Sequence, residues 1–209
     1  LRRQRQMCIR DRGKDKEYEF FYGGYFSQWY PCEFTENNIK YNCAEQYMMA
    51  HKALLFNDIE IYNEIMSTDS PFKHKKLGKK VKNFNEEIWK QHREQIVYQG
   101  NLLKFSQNEY LKEYLLSTDD KIIVEASPTD TIWGIGLGED NSFIWNESNW
   151  QGLNLLGIAI MKVRNYLKSK ASVKQINKPE GPFVSLKKLF IKSLYMDCLL
   201  YTSDAADEA

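Results

Sequence analysis

The chain has 209 residues, 27% of them charged, with 29 basic against 28 acidic residues and a formal net charge of +1. That balance excludes a protein that lives by bulk electrostatic attraction to nucleic acid, although a local basic patch stays open. No apolar run reaches the ~18 residues of a membrane span, and four cysteines without a CxxC spacing are too few for a disulfide framework.

The two ends do not read as protein. Residues 3–12 and residues 198–206 are accounted for by one oligonucleotide read on its two strands, which looks like a sequencing adapter. Residues 1–12 and 198–209 are therefore set aside from fold reasoning. Their removal takes away Arg2, Arg3, Arg5, Arg10 and Arg12 together with Asp11, Asp204, Asp207 and Glu208. The remainder is neutral, with 24 residues of each sign. Cys8 and Cys198 go with the tails; Cys32 and Cys43 remain, and a reducing cytoplasm is the default compartment. What is left predicts one domain over residues 13–167, followed by a Lys-rich extension over 168–197 with paired breakers.

In chain order, Phe20-Phe21-Tyr22 before Gly23-Gly24 predicts a short strand running into a turn, and Phe26 to Pro31 an aromatic loop. A helix begins at Asn42 or Cys43 and keeps helical spacing through Tyr47, Ala50 and Leu54 to about Phe56. Asp58 caps a second helix carrying Ile61, Ile65 and Met66. Ser70-Pro71 opens a third, which ends near Gly78. A long helix runs from about Asn85 to Phe105 and buries Trp89, Ile96, Val97 and Leu102. A short helix follows over 109–116, then a strand over 121–126. An apolar helix from Asn154 to Leu167 closes the domain. Many helices and few short strands predict an α+β domain, mainly α-helical, and the lack of βαβ alternation argues against a doubly wound sheet.

The segment from Glu125 to Leu137 is the hardest to explain as scaffold. It places Glu125, Asp130 and Trp133 in one turn-rich loop, with Gly134, Gly136 and Gly138 where a side chain could block a ligand or a close backbone approach. Acid, ring and glycines suit a pocket that stacks a flat group and holds a sugar; a polar connecting loop is the plainer reading. Glu45 and Lys52 lie seven residues apart on one helix face, roughly 10 Å along the axis, placed to grip two ends of a small ligand or simply to face solvent. His51, His74 and His92 lack metal spacing. Cys43 has no evident histidine partner and reads as a small buried hydrophobe. The run Lys73 to Lys80 reads as solvated more readily than as a phosphate site. Asn154, before the last helix, reads as a cap.

Several segments in order resemble the NADAR (NAD and ADP-ribose) superfamily and its YbiA-like N-glycosidases. They include Phe26-Ser27-Gln28-Trp29, the run Ala44 to Ala53, Lys76-Leu77-Gly78, Trp89, and Lys104 to Asn108. Leu115 to Thr118, Glu125-Ala126-Ser127, Asp130, Ile132 to Leu137, Gly152 to Gly157 and Val163-Arg164 complete the match, over roughly residues 19–167. Gln28 departs from the usual Asn. The resemblance implies hydrolysis of a ribose C1–N bond, in ribosylamino-pyrimidine phosphates of riboflavin synthesis or in ADP-ribosylated guanine. A module that binds ADP-ribose or NAD-derived ligands without turnover is a further alternative. The resemblance implies catalytic roles for Glu45, Asp130 and Lys52, and substrate contacts for Trp29, Trp89, Trp133, Gly134, Asn154 and Arg164. No cofactor and no metal is expected, and the partner is a small-molecule N-riboside or an ADP-ribosylated substrate.

Overall fold

The computed structural model describes residues 17–176; the adapter-like tails and residues 177–197 of the predicted extension lie outside the described residues. Strand β1 (Tyr18–Phe21) pairs in parallel with β4 (Ile122–Glu125), in the register Phe21 to Glu125. Between them come the hairpin β2 (Phe34–Glu36) and β3 (Ile39–Tyr41), then α1 (Ala44–Leu55), α2 (Ile59–Met66), α3 (Pro71–Gly78), α4 (Glu86–Gln107) and α5 (Glu109–Ser117). Helix α6 (Leu155–Ile176) follows β4 and a long loop. This is the mainly helical α+β arrangement expected. Among the described residues no helix is long and apolar enough to cross a membrane.

Local chemistry explains the helix starts. Asp58 accepts from the Ile61 amide, Ser70 from Lys73 with Pro71 just inside, and Asn85 from both Glu87 and Ile88. The β2–β3 hairpin is absent from the sequence reading. Its turn, Asn37-Asn38, holds φ of 49° and 66°, the left-handed pair that a two-residue hairpin turn requires and asparagine tolerates. Opposite each other across it, Phe34 and Tyr41 turn into the core. Helix α6 also runs nine residues past its predicted end at Leu167. The described residues up to Ser172 belong to one compact unit; residues 173–176 fall to a second, whose remainder lies outside the described residues.

Helix α1 is the centre of the domain and packs against α2, α3 and α4. Strand β4 separates two cores by its period of two. Ile123 joins the main helical core, whereas Val124 joins a smaller cluster with Ala126, Ile135, Leu137 and Ile144. Glu125 shares the Ile123 face, and that alternation turns its carboxyl toward the helices.

Candidate functional site

Burial decides which polar residues matter here. Glu45, in the first turn of α1, is 6% exposed. Its backbone N–H donates to the Gln28 carbonyl at 2.9 Å, and the Trp29 side chain hydrogen-bonds its carboxylate. Burial pushes the Glu45 carboxyl up to about 7; Lys75 and the Trp29 bond pull it back, and Asp130 adds to the rise. Glu125 is pushed up to about 7 as well, by burial first and then by Asp130, with Lys75 opposing and Glu45 adding. The Glu125 Oε2 atom is buried without a hydrogen-bond partner. Three carboxyls from α1, β4 and the following loop thus meet beside one lysine of α3 and one indole.

The loop that carries Trp29 is tightly held. Trp29 N donates to Ser27 Oγ at 3.1 Å, Lys104 Nζ donates to the Ser27 carbonyl at 2.8 Å, and Asn101 Nδ2 donates to Gln28 Oε1 at 2.9 Å. Gln28 therefore bridges α1, through its carbonyl, and α4, through its side chain. Lys104 is wholly buried, and desolvation pulls its ammonium down to about 8.

Asp130 is positioned by its own turn. Its Oδ1 accepts from the Ile132 and Trp133 amides at 3.0 and 2.8 Å, and its N–H donates to Ser127 Oγ at 3.2 Å. Gly134 serves this turn by close packing: a Cβ there would stand 2.9 Å from the Glu125 carbonyl and from Ser127 Cβ, and 3.0 Å from the Asp130 carbonyl.

Along the same two elements, α1 and the 130–133 loop, lies a cavity of about 310 Å³. Lys52, Lys79 and Arg93 line it as cations and Glu86 as the acid. Phe84, Trp89, Ile132 and Trp133 supply its apolar wall. Lys52 Nζ donates to the Gly78 carbonyl at 2.9 Å and sits over Phe84 and Trp89, 4.1 and 5.4 Å from the ring centroids. Burial lowers its pKa and Glu86 raises it in part.

The expected site residues separate into three groups. Glu45, Asp130 and Trp29 come together, and Lys52, Trp89 and Trp133 share the cavity. Gly134, Asn154 and Arg164 are engaged in the scaffold. Asn154 accepts from the Glu125 amide at 3.0 Å and donates to the Ile123 carbonyl at 2.9 Å, tying β4 to the start of α6. Arg164 donates to Thr118 Oγ1 and the Lys121 carbonyl, both at 2.8 Å.

Glu125 stands out in the sequence as one carboxylate of the 125–137 segment but draws no catalytic assignment there, and Lys75 and Arg93 are not singled out individually. Lys75 was hidden in a run that reads as solvated. Arg93 carried a signal, since it falls on the buried stripe of α4 between Trp89 and Val97. One expectation needs correcting: Cys43 does have a histidine beside it, with Sγ 3.7 Å from His74 Nδ1. Burial pushes that thiol up to about 11, so the pair is not an activated nucleophile, and Sγ caps α1 by accepting from Gln46. Among the described residues, no group of three or more His, Cys, Asp or Glu could hold a metal ion.

A family profile described as NADAR domain matches residues 18–168. The chain is similar to N-glycosidase R617 of Acanthamoeba polyphaga mimivirus, 48% identical over 161 residues that cover 71% of this chain and 95% of that protein. It is also similar to a riboflavin biosynthesis protein of Vibrio vulnificus (strain YJ016), 26% identical over 148 residues, 71% of this chain and 36% of that one. The NMR structure of the E. coli protein YbiA shares the fold with a TM-score of 0.63 at 23% identity, covering 84% of this chain and 96% of that one.

Proposed function

Because this chain belongs to the NADAR family, we propose that it is an N-glycosidase that hydrolyses the bond between ribose C1 and a nitrogen, with ribosylamino-pyrimidine phosphates as its substrate class. The observation that carries this reading is the meeting of Glu45, Glu125 and Asp130, two of them held near 7. The names of the mimivirus and Vibrio relatives support the reaction and the substrate class respectively.

Departure of the nitrogen leaves positive charge on the sugar, so carboxylates facing C1 stabilise the transition state more than the ground state. Glu125 is the general acid. Its buried Oε2 has no donor to favour the ionised form, so it retains a proton to give to the leaving nitrogen. Glu45 is the general base. The Trp29 bond and the Lys75 charge favour its ionised form, which takes a proton from water as the water oxygen bonds C1. Asp130, fixed by its amide contacts, faces the cationic carbon. Atoms balance: the C1–N bond breaks, the C1–O bond forms, and one proton passes to each side. Trp29 and Trp133 offer flat surfaces to the base, and we assign Lys52 to gripping substrate oxygens in the cavity.

The test is chromatographic detection of free base released from a panel of N-ribosides, set beside guanine-ADP-ribosylated DNA. Release from the ribosylamino-pyrimidine phosphate that is lost in Glu45→Gln is expected. Release only from the modified DNA would move the substrate to ADP-ribosylated guanine. Binding of ADP-ribose without release from any substrate would make the domain a binding module.

A further inference from the structure

Three polar residues lie on the buried stripe of α4: Arg93, Asn101 and Lys104. Two of them have a stated occupation, since Asn101 and Lys104 hold the loop before Trp29. Arg93 is different. It is 8% exposed, its Nε is buried without a partner, and among the described residues no hydrogen bond or carboxylate within ion-pair distance is found for its guanidinium. A buried charge that lacks a counter-charge is strongly unfavourable unless something supplies one.

The surroundings say what could supply it. Arg93 opens onto the 310 Å³ cavity, where Lys52 and Lys79 add two more cations and Glu86 is the single acid. Helical spacing puts Glu86, Trp89 and Arg93 on one face of α4, opposite Lys52 of α1. The cavity is thus net cationic, walled by rings, and close to the lower bound for small-molecule sites. A guanidinium donates two parallel bonds to the oxygens of a phosphate, a geometry that a lysine does not reproduce.

We propose that this cavity is a phosphate subsite in which Arg93 holds the phosphate of a phosphorylated ribose while the C1 end reaches Glu45. The subsite deepens the proposed hydrolysis and rests on it for the sugar, although its phosphate affinity is measurable without any turnover. Glu45 and Lys52 stand seven residues apart on one face of α1, roughly 10 Å along the axis, and the 130–133 loop that carries Asp130 also supplies Ile132 and Trp133 to the cavity wall.

Titration calorimetry with ribose 5-phosphate, ribose and inorganic phosphate tests this on the full chain. Wild type binds ribose 5-phosphate about 30-fold or more tighter than ribose, and Arg93→Met loses that margin. Ribose 5-phosphate also raises the melting temperature of wild type and leaves that of Arg93→Met unmoved. With no ligand, Arg93→Met melts no lower than wild type, because it removes an uncompensated charge; a clearly lower melting point would make Arg93 structural and overturn the proposal. Arg93→Lys keeps charge and stem but not the fork, and it binds ribose 5-phosphate about tenfold more weakly. Wild-type affinity in either variant, or equal affinity of wild type for ribose and ribose 5-phosphate, overturns the assignment. Inorganic phosphate bound as tightly as the sugar phosphate overturns the sugar component. Phosphate-dependent binding without release of base from any N-riboside removes the hydrolysis and leaves the subsite standing; turnover with no phosphate preference does the reverse.

Discussion

The two ends of α1 handle charge in opposite ways. At its first turn, Glu45 is buried with Glu125 and Asp130, so like charges crowd and protons are held. At its last turn, Lys52 faces a cavity where Lys79 and Arg93 add two more cations against one acid, Glu86, and where the Arg93 Nε is buried without a partner. A fold selected for stability alone would have paired the acids with the bases. Keeping them apart leaves one end ready to exchange protons and the other short of negative charge, which is how a protein can orient a ligand that is anionic at one end and becomes cationic at the other.

Variants that break the acidic end should have the largest effects. Glu45→Gln keeps the shape of the side chain but removes the base, and turnover should fall about a thousandfold with the fold intact. Circular dichroism and a stopped-time assay measure both. Glu125→Gln should lower turnover about a hundredfold and, because it removes the acid, should abolish the fall in rate above neutral pH. If that alkaline limb persists in Glu125→Gln, the acid is another group.

Smaller effects probe what holds the acidic end in place. Asn154→Ala leaves the Glu125 amide and the Ile123 carbonyl without their partner and puts alanine at a φ of 51°. Denaturant melts should show a loss of about 2–4 kcal/mol, with a drop in turnover as β4 loosens. Lys52→Met should raise KM more than it lowers kcat, and a loss in kcat matching Glu45→Gln would place Lys52 in the chemical step instead.

The smallest effect is on the pH dependence of stability. Glu45 and Glu125 bind protons more tightly folded than unfolded, with folded values of about 7 against an ordinary 4.5. Their protonation therefore contributes stability that is complete below 4.5 and lost as pH rises through about 7. Relative to wild type, Glu125→Gln should gain on the order of 1–3 kcal/mol between mildly acidic and mildly alkaline pH. A stability difference that stays flat with pH would place the Glu125 carboxyl in an ordinary, solvated environment.

Much of the helical frame was legible because its signals are local. Asp58, Ser70-Pro71 and Asn85 announce their helices by side chains that satisfy nearby amides. The pairing of β1 with β4 joins segments about a hundred residues apart, and nothing local specifies it. The Asn37-Asn38 turn was readable in principle, but three-residue strands give too short an alternation to stand out. At the site, Glu45, Asp130 and the tryptophans could be singled out by residue type and resemblance. Lys75 could not, because its role depends on α3 turning one lysine of a basic run toward α1. Asn154 and Arg164 are expected from the sequence to contact a ligand, yet Asn154 bonds the backbone of β4 and Arg164 bonds the Thr118 hydroxyl and the Lys121 carbonyl, a distinction that only coordinates reveal.

Proton exchange at the acidic end requires Glu45 and Glu125 to titrate near neutrality. Carbon-detected NMR titration of the glutamate carboxyl resonances, assigned through Glu45→Gln and Glu125→Gln, tests it directly. Two resonances with midpoints near 7, each moving when the other residue is replaced, are predicted. Midpoints for both at the ordinary carboxylate value would mean that neither group is held protonated at neutral pH and would remove both from proton transfer.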